Sequence, residues 1–280
     1  MILIADSGST KTDWLLAEGG DVVMRVATQG INPFHQTADE IHNIMSGELL
    51  PQLGGQQPGM VFFYGSGCRD EVVGTLVGVL AQVFPQADTI EVHGDLLGAA
   101  RSVCGGREGI ACILGTGANS CLYDGNAIVM NTPPLGYILG DEGSGAVLCR
   151  NFVNALFKGR LSVSVRDAFF AESGLTLDGI IHRVYREPMA NRFLASLSPF
   201  IHSHIADAGV RGIVVDNFRC FLRNNVACYN RPDIPLGVVG SIGYVYKEEL
   251  VEAAEAEGMT VGRVVRSPLE GLLRFHTAAC

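Results

Sequence analysis

Three things are scarce in this 280-residue sequence: charge, cysteine pairs and long apolar runs. Only 18% of residues are charged and the formal net charge is −9. That balance argues against a nucleic-acid or anionic-membrane surface, which needs a basic face. The eight cysteines include no CxxC pair, and with the seven histidines they show no zinc spacing. Most sit in apolar contexts such as "IACILG", so buried reduced thiols are expected rather than disulfides. No stretch approaches the roughly 18 apolar residues of a membrane span. No basic segment precedes "MILIA", whose apolar run stops at Ala5, so neither a signal peptide nor an anchor is expected there. These absences point to a cytoplasmic globular protein.

What is present is hydrophobic: 48% of residues, enough for one large domain or two cores. The first half reads as three short strands, then strands alternating with helices. "TADEIHNIMSGELL" carries a capping box, Thr37 with Glu40, and an apolar face of Ile41, Ile44, Met45 and Leu49. "CRDEVVGTLVGVLAQVF" repeats apolar residues at helical spacing, and "DTIEVHGD" leads into the helix "LLGAARSV". The order β-β-β-α-β-α-β-α predicts an α/β layer with a mainly parallel sheet and an antiparallel hairpin at one side.

The pattern then begins again. "CILGTGANSCLYD" repeats the device of "IADSGSTKTDWLL": a strand, a Gly-containing polar turn and a returning strand. A helical stretch runs from Gly143 to about Asn230. "PLGVVGSIG", "YKEELVEAAEAEG" and "MTVGRVV" close the second half as strand, helix and strand. Ser267, Pro268 and Glu270 mark a last helix with an N-cap and capping box, and it presents Leu269, Leu272, Leu273 and His276 on one side. The expected domains are 1–103, with 267–280 packing back on it, and 104–266 carrying a helical insertion. Gly105 and Gly106 stand at the crossing point.

The first turn suits phosphate, but a strand follows it, so it is neither a Walker A loop nor a Rossmann fingerprint. A tight turn of backbone N–H groups and small hydroxyls can hold anionic oxygens, with Gly8 allowing close approach. Asp6 would repel phosphate; its natural role is to hold Mg²⁺, through water. An ordinary polar hairpin turn is the competing reading. The second turn adds weight, since two such turns could clamp one nucleotide's phosphates across a cleft.

With "DSGSTKTDW", "GDLLGAA", "LGTGANS", "PLGYILGDEGSGA" and "VVGSIG" in this order, the chain resembles the actin-like ATPase superfamily. Within it, it is similar to the N-acetylglucosamine kinase group and the benzoyl-CoA reductase ATPase-activator family. The resemblance implies an α/β fold of two ribonuclease H-like domains around a central nucleotide and sugar cleft. It implies ATP and Mg²⁺ as cofactors, with Asp6 at the metal and Asp95 as the base for the sugar hydroxyl. The competing role for Asp95 is a helix N-cap. Gly8, Ser9, Thr10, Lys11, Gly115, Thr116 and Gly117 match the two phosphate turns, and Gly240 and Ser241 the adenosine motif. Lys11 also has a solvent-facing reading. Asn32, Asn119, Gly136, Asp141 and Glu142 match the sugar side, although Asn32 also suits a turn before Pro33. Leu135 stands where animal N-acetylglucosamine kinases carry an aromatic residue, with Tyr137 two positions on. Cys104 and Cys121 lack the context of the activators' cluster ligands.

The expected activity is phosphorylation of an amino sugar, N-acetylglucosamine or N-acetylmuramic acid. The alternatives are another hexose, an ATPase that drives a redox partner, and a binding regulator without transfer chemistry. The expected partner is a small sugar; a homodimer is implied by the resemblance alone.

Overall fold

The computed structural model describes residues 1–8 and 10–278. Its contacts divide the chain into two units. The first comprises Met1–Arg107, Gly125–Ala127 and the stretch from Ser267 onward; the second comprises Glu108–Asp124 and Ile128–Arg266.

In the first unit the strands are β1 (Ile2–Ser7), β2 (Lys11–Glu18) and β3 (Asp21–Gln29). Helix α1 (Ala38–Ile44) follows, runs through a π turn at Met45–Leu49, and ends in the single turn α2 (Leu50–Leu53). Then come β4 (Met60–Gly65), α3 (Asp70–Val83), β5 (Thr89–Gly94) and α4 (Asp95–Cys104). The sheet order is β3-β2-β1-β4-β5. It divides evenly: β3-β2-β1 is an antiparallel meander and β1-β4-β5 is parallel. The expected mainly parallel sheet is corrected accordingly. Turns of a few residues can only return a strand antiparallel, whereas the helical connections before β4 and β5 allow parallel pairing. Thr37 and Glu40 form the capping box, and Ile41, Ile44, Met45 and Leu49 are buried.

The second unit repeats this order as β10-β9-β6-β7-β8. Its strands begin with β6 (Gly109–Leu114), β7 (Ala118–Tyr123) and β8 (Ile128–Thr132). The short α5 (Gly136–Leu139) and α6 (Gly145–Phe157) come next. The helical stretch is broken into α7 (Val163–Ser173), α8 (Leu177–Tyr185), α9 (Ala190–Ala195), α10 (Ser198–Ser203) and α11 (Ala208–Phe221). A π turn (Leu222–Val226) and a 3₁₀ turn (Ala227–Tyr229) end it. β9 (Leu236–Val239), α12 (Ser241–Val245), α13 (Lys247–Ala256) and β10 (Val261–Val265) complete the unit. Phe152, Phe169, Phe218 and Phe221 anchor a core that joins the helices to the sheet.

Helix α14 (Leu269–Ala278) packs on α4, β1 and β2 of the first unit. Leu269, Leu272 and Leu273 join Ile2, Ile4 and Tyr64 in one apolar cluster, and His276 is buried. Ser267 Oγ accepts from the Leu269 N–H at 3.4 Å. The capping box expected of Glu270 does not close: its carboxylate instead pairs with Arg25 on β3 at 2.8 Å. No disulfide joins any of the seven described cysteines. Cys112, Cys121 and Cys149 are buried, but Cys220 and Cys228 are exposed, which corrects the expectation for those two.

Candidate functional site

The β1–β2 hairpin closes with the Gly8 N–H donating to the Lys11 carbonyl at 3.0 Å. Ser9 lies outside the described residues. Thr10 is exposed at the tip. The Lys11 ammonium pairs with Asp13 at 2.8 Å and remains 58% exposed, so it lies along the strand's polar face. Below the tip, Ser7 and Thr12 point inward. Their hydroxyls lie 2.6 Å apart, Ser7 Oγ donates to the Ile31 carbonyl at 2.8 Å, and Thr12 Oγ1 accepts from the Ile31 N–H at 3.1 Å. This buried pair joins the turn to the segment bearing Asn32. Neither residue is marked by a motif; the only signal in the sequence is their polarity at inward-facing strand positions.

Asp6 sits near the end of β1, opposite Asp13 on β2 and beside Tyr64 on β4. Asp95 is the first residue of α4, directly after β5, and Gly94 occupies the N-cap. Asp95 therefore does not cap the helix. Both carboxylates thus stand at the carboxyl ends of parallel strands, where open α/β sheets place their ligands. Burial pushes the Asp6 pKa up to about 7, reinforced by the negative charges of Asp95 and Asp13 and opposed by Lys11. Burial also raises Asp95, although its own N–H and that of Leu96 donate to the carboxylate. A buried carboxylate whose ionisation is disfavoured by burial and by a second carboxylate, as Asp6 is by Asp95, is a functional signature.

Asn32 is pinned in a turn. Its Oδ1 accepts from the Phe34 N–H at 3.0 Å, and its own N–H donates to Gln36 Oε1 at 2.7 Å. Gly67, at φ +78°, packs against the Asn32 amide so closely that a Cβ there would collide with it.

In the second unit the β6–β7 turn is built on the same plan, with the Gly115 N–H donating to the Gly117 carbonyl at 3.0 Å. The first N–H groups of α6 grip the turn's carbonyls: Gly145 donates to Gly115 at 2.8 Å and Ala146 to Thr116 at 3.3 Å. The N–H groups of Thr116 and Gly117 have no partner among the described residues. Outward amides of this kind make a nest for an anion. Gly240, at φ +123°, passes so close to the Leu114 carbonyl that no side chain fits, which brings the β9–α12 turn alongside. Ser241, the first residue of α12, is exposed there.

Asp141 adopts φ +57° and Leu135 φ +63°, conformations that non-glycine residues seldom hold. The loop is tied by its own hydrogen bonds: the Gly136 N–H donates to Asp141 Oδ1 at 3.0 Å and the Asp141 N–H to the Pro134 carbonyl at 2.9 Å. Burial raises the Asp141 pKa to about 6 against the Gly136 hydrogen bond, and the adjacent Glu142 charge adds to the rise. Glu142 turns the other way. Burial works against its ionisation, but hydrogen bonds from Asn224, its own N–H and Asn225, with the Arg150 charge, bring its pKa below the ordinary glutamate value. Asn119 on β7 accepts from Asn131 Nδ2 at 2.9 Å. Asn131, Asn224 and Asn225 were not singled out by sequence reasoning.

No family model and no curated protein matches the chain. Among solved structures, it is similar to a candidate N-acetylglucosamine kinase from Porphyromonas gingivalis, at 50% identity over 99% of both chains and a TM-score of 0.97. A second candidate N-acetylglucosamine kinase, from Chromobacterium violaceum, aligns at 17% identity over 98% of both chains with a TM-score of 0.75. A glucokinase of the ROK family from Streptomyces griseus, in complex with glucose and AMPPNP, aligns at 16% identity over 98% of this chain and 97% of its own, with a TM-score of 0.59. The latter two share the two-domain kinase fold. With half its residues identical along essentially the whole length, this chain belongs to the N-acetylglucosamine kinase-like family represented by the Porphyromonas gingivalis protein.

Proposed function

We propose that the protein transfers the terminal phosphoryl group of ATP to a hydroxyl of an amino sugar, with N-acetylglucosamine the first choice and N-acetylmuramic acid the second. The observation that carries this reading is Asp95: a carboxylate at the end of a parallel strand, raised in pKa by burial and close enough to Asp6 to raise that residue too. Identity to the Porphyromonas gingivalis protein supports the substrate class.

Residues 1–103 with the last helix, and residues 104–266, are read as the two catalytic domains. In the first, Asp95 accepts the proton of the sugar hydroxyl as its oxygen attacks the γ-phosphorus and the bond to the β-phosphate oxygen breaks, releasing ADP. A raised pKa makes Asp95 a better proton acceptor than an ordinary carboxylate. Gly8, Ser9, Thr10 and Lys11 are read as the first phosphate turn, and Gly115, Thr116 and Gly117 as the second. Gly240 and Ser241 are read as flanking the nucleoside. Asn32, Asn119, Gly136, Asp141 and Glu142 are read as sugar contacts, where amides and carboxylates match hydroxyls in donors and acceptors.

Among the described residues no cluster of three or more metal-binding side chains occurs. Mg²⁺ keeps several waters and phosphate oxygens and needs only one or two protein carboxylates, so Asp6 alone would suffice as its protein ligand. Asp6, crowded by Asp95 and Asp13, is the carboxylate that a cation would relieve. Bound there, Mg²⁺ supplies neutralisation of the charge on the phosphates.

The test is ADP release from Mg-ATP with N-acetylglucosamine, N-acetylmuramic acid, glucose or no sugar. One sugar is expected to stimulate turnover well above the sugar-free rate. Equal release without sugar would replace this reading with a sugar-independent ATPase.

A further inference from the structure

Asn224 and Asn225 lie in the π turn after α11, outside every motif that suggested a site. Asn224 Nδ2 donates to Glu142 Oε1 at 2.9 Å, and Asn225 Nδ2 to Glu142 Oε2 at 3.4 Å. One amide therefore takes each oxygen of a single carboxylate. The same turn also grips β7, which bears Asn119, and its neighbour β8. The Asn225 carbonyl accepts from Ser120 Oγ at 3.0 Å and from Thr132 Oγ1 at 2.9 Å. The Tyr229 hydroxyl lies 2.8 Å from Ser120 Oγ and accepts from the Thr132 N–H at 3.1 Å. Single π turns within helices are rare and frequent at functional sites.

We propose that Asn224 and Asn225 are positioning residues for the sugar, holding the Glu142 carboxylate in one orientation as the acceptor for a sugar hydroxyl. The proposal rests on the amino-sugar kinase reading. Asn224 is exposed and Glu142 only partly buried, so the first of these bonds has little core to support. Its effect is to hold Glu142 Oε1 while the longer bond from Asn225 holds Oε2. A carboxylate already oriented costs less to order when substrate arrives, which appears as affinity. Asn224 acts through Glu142, so its removal should cost nothing further once Glu142 has lost its charge.

The experiment compares the wild type, Asn224→Ala, Glu142→Gln and the double variant in ADP release, varying N-acetylglucosamine and then ATP. Asn224→Ala is expected to raise the sugar KM about tenfold with the ATP KM within about twofold. Glu142→Gln should raise the sugar KM at least as much, and the double variant should match Glu142→Gln alone. Asn224→Gln, which keeps the amide, should recover part of the loss. An unmoved sugar KM in Asn224→Ala, or losses that multiply in the double variant, would overturn the proposal. A wild type without sugar-dependent turnover would instead overturn the kinase reading, and this inference with it.

Discussion

The Asp141 carboxylate lies against Gly117: a Cβ on Gly117 would sit 3.2 Å from Asp141 Oδ2. The Gly115–Gly117 turn and the loop bearing Asp141 therefore touch within one unit. Gly117→Ala would push that carboxylate by a few tenths of an ångström. The expected result is a sugar KM raised about three- to tenfold, since small misplacements at a site carry large costs. Thermal unfolding should move little, because Gly117 does not have positive φ. Sugar titrations and melting curves check both parts.

Gly240 is a different case. Its φ of +123° belongs almost only to glycine, and a methyl group there would strike the Leu114 carbonyl. Gly240→Ala should destabilise the protein by at least ~3 kcal/mol, from strain and collision together. Urea unfolding would measure it; a midpoint unchanged from wild type would contradict the packing described.

Asp141 should make sugar binding depend on pH. Its pKa of about 6 means that it is ionised at pH 7 and largely protonated at pH 5. A protonated carboxyl loses acceptor capacity, so the sugar Kd should rise about tenfold over that interval. Asp141→Asn should flatten the step near pH 6. Glu142, whose pKa is lowered, should stay ionised throughout. Calorimetric titration at a series of pH values checks the curve, and a flat wild-type profile would contradict it.

His276 should make stability depend on pH. Its ring stacks on Phe62 at 3.6 Å between centroids, and its Nε2 lies 2.9 Å from the Tyr64 hydroxyl, which accepts from Arg101 Nη1 at 2.8 Å. Burial lowers its pKa to about 4; the Arg101 and His93 charges add to this and Glu91 opposes. In the unfolded chain His titrates near ~6.5, so the unfolded state takes up the proton first as pH falls. Stability from this residue is full above about pH 6.5 and is lost as pH falls toward 4, by on the order of 3 kcal/mol. His276→Phe should weaken that dependence in unfolding measured between pH 4 and 7.

The parts of this molecule that were legible in the sequence are those with short-range grammar. Strands broken by Gly turns, the Thr37–Glu40 capping box and the apolar stripe of α14 all follow from residues within a few positions of one another. The repeated hairpin was legible because both copies use a Gly-bearing polar turn, and the two sheets do share one strand order. Tyr64 and His276 meet across 212 positions of sequence, and Glu142 meets Asn224 through a π turn; no local pattern encodes either pairing. Glu270 shows the converse. A capping box fits its spacing, but Arg25, brought close by folding, takes the carboxylate.

Asp95 is the residue on which the account turns. The most direct measurement is a single-turnover reaction of excess enzyme with Mg-ATP and N-acetylglucosamine, read by mass spectrometry of the sugar, for wild type and Asp95→Asn. Loss of a general base is expected to slow phosphoryl transfer by roughly 10²–10⁴-fold. Sugar phosphate is expected from the wild type and only a trace from the variant over the same time, with sugar binding by calorimetry retained. Sugar phosphate formed equally fast by Asp95→Asn would contradict it.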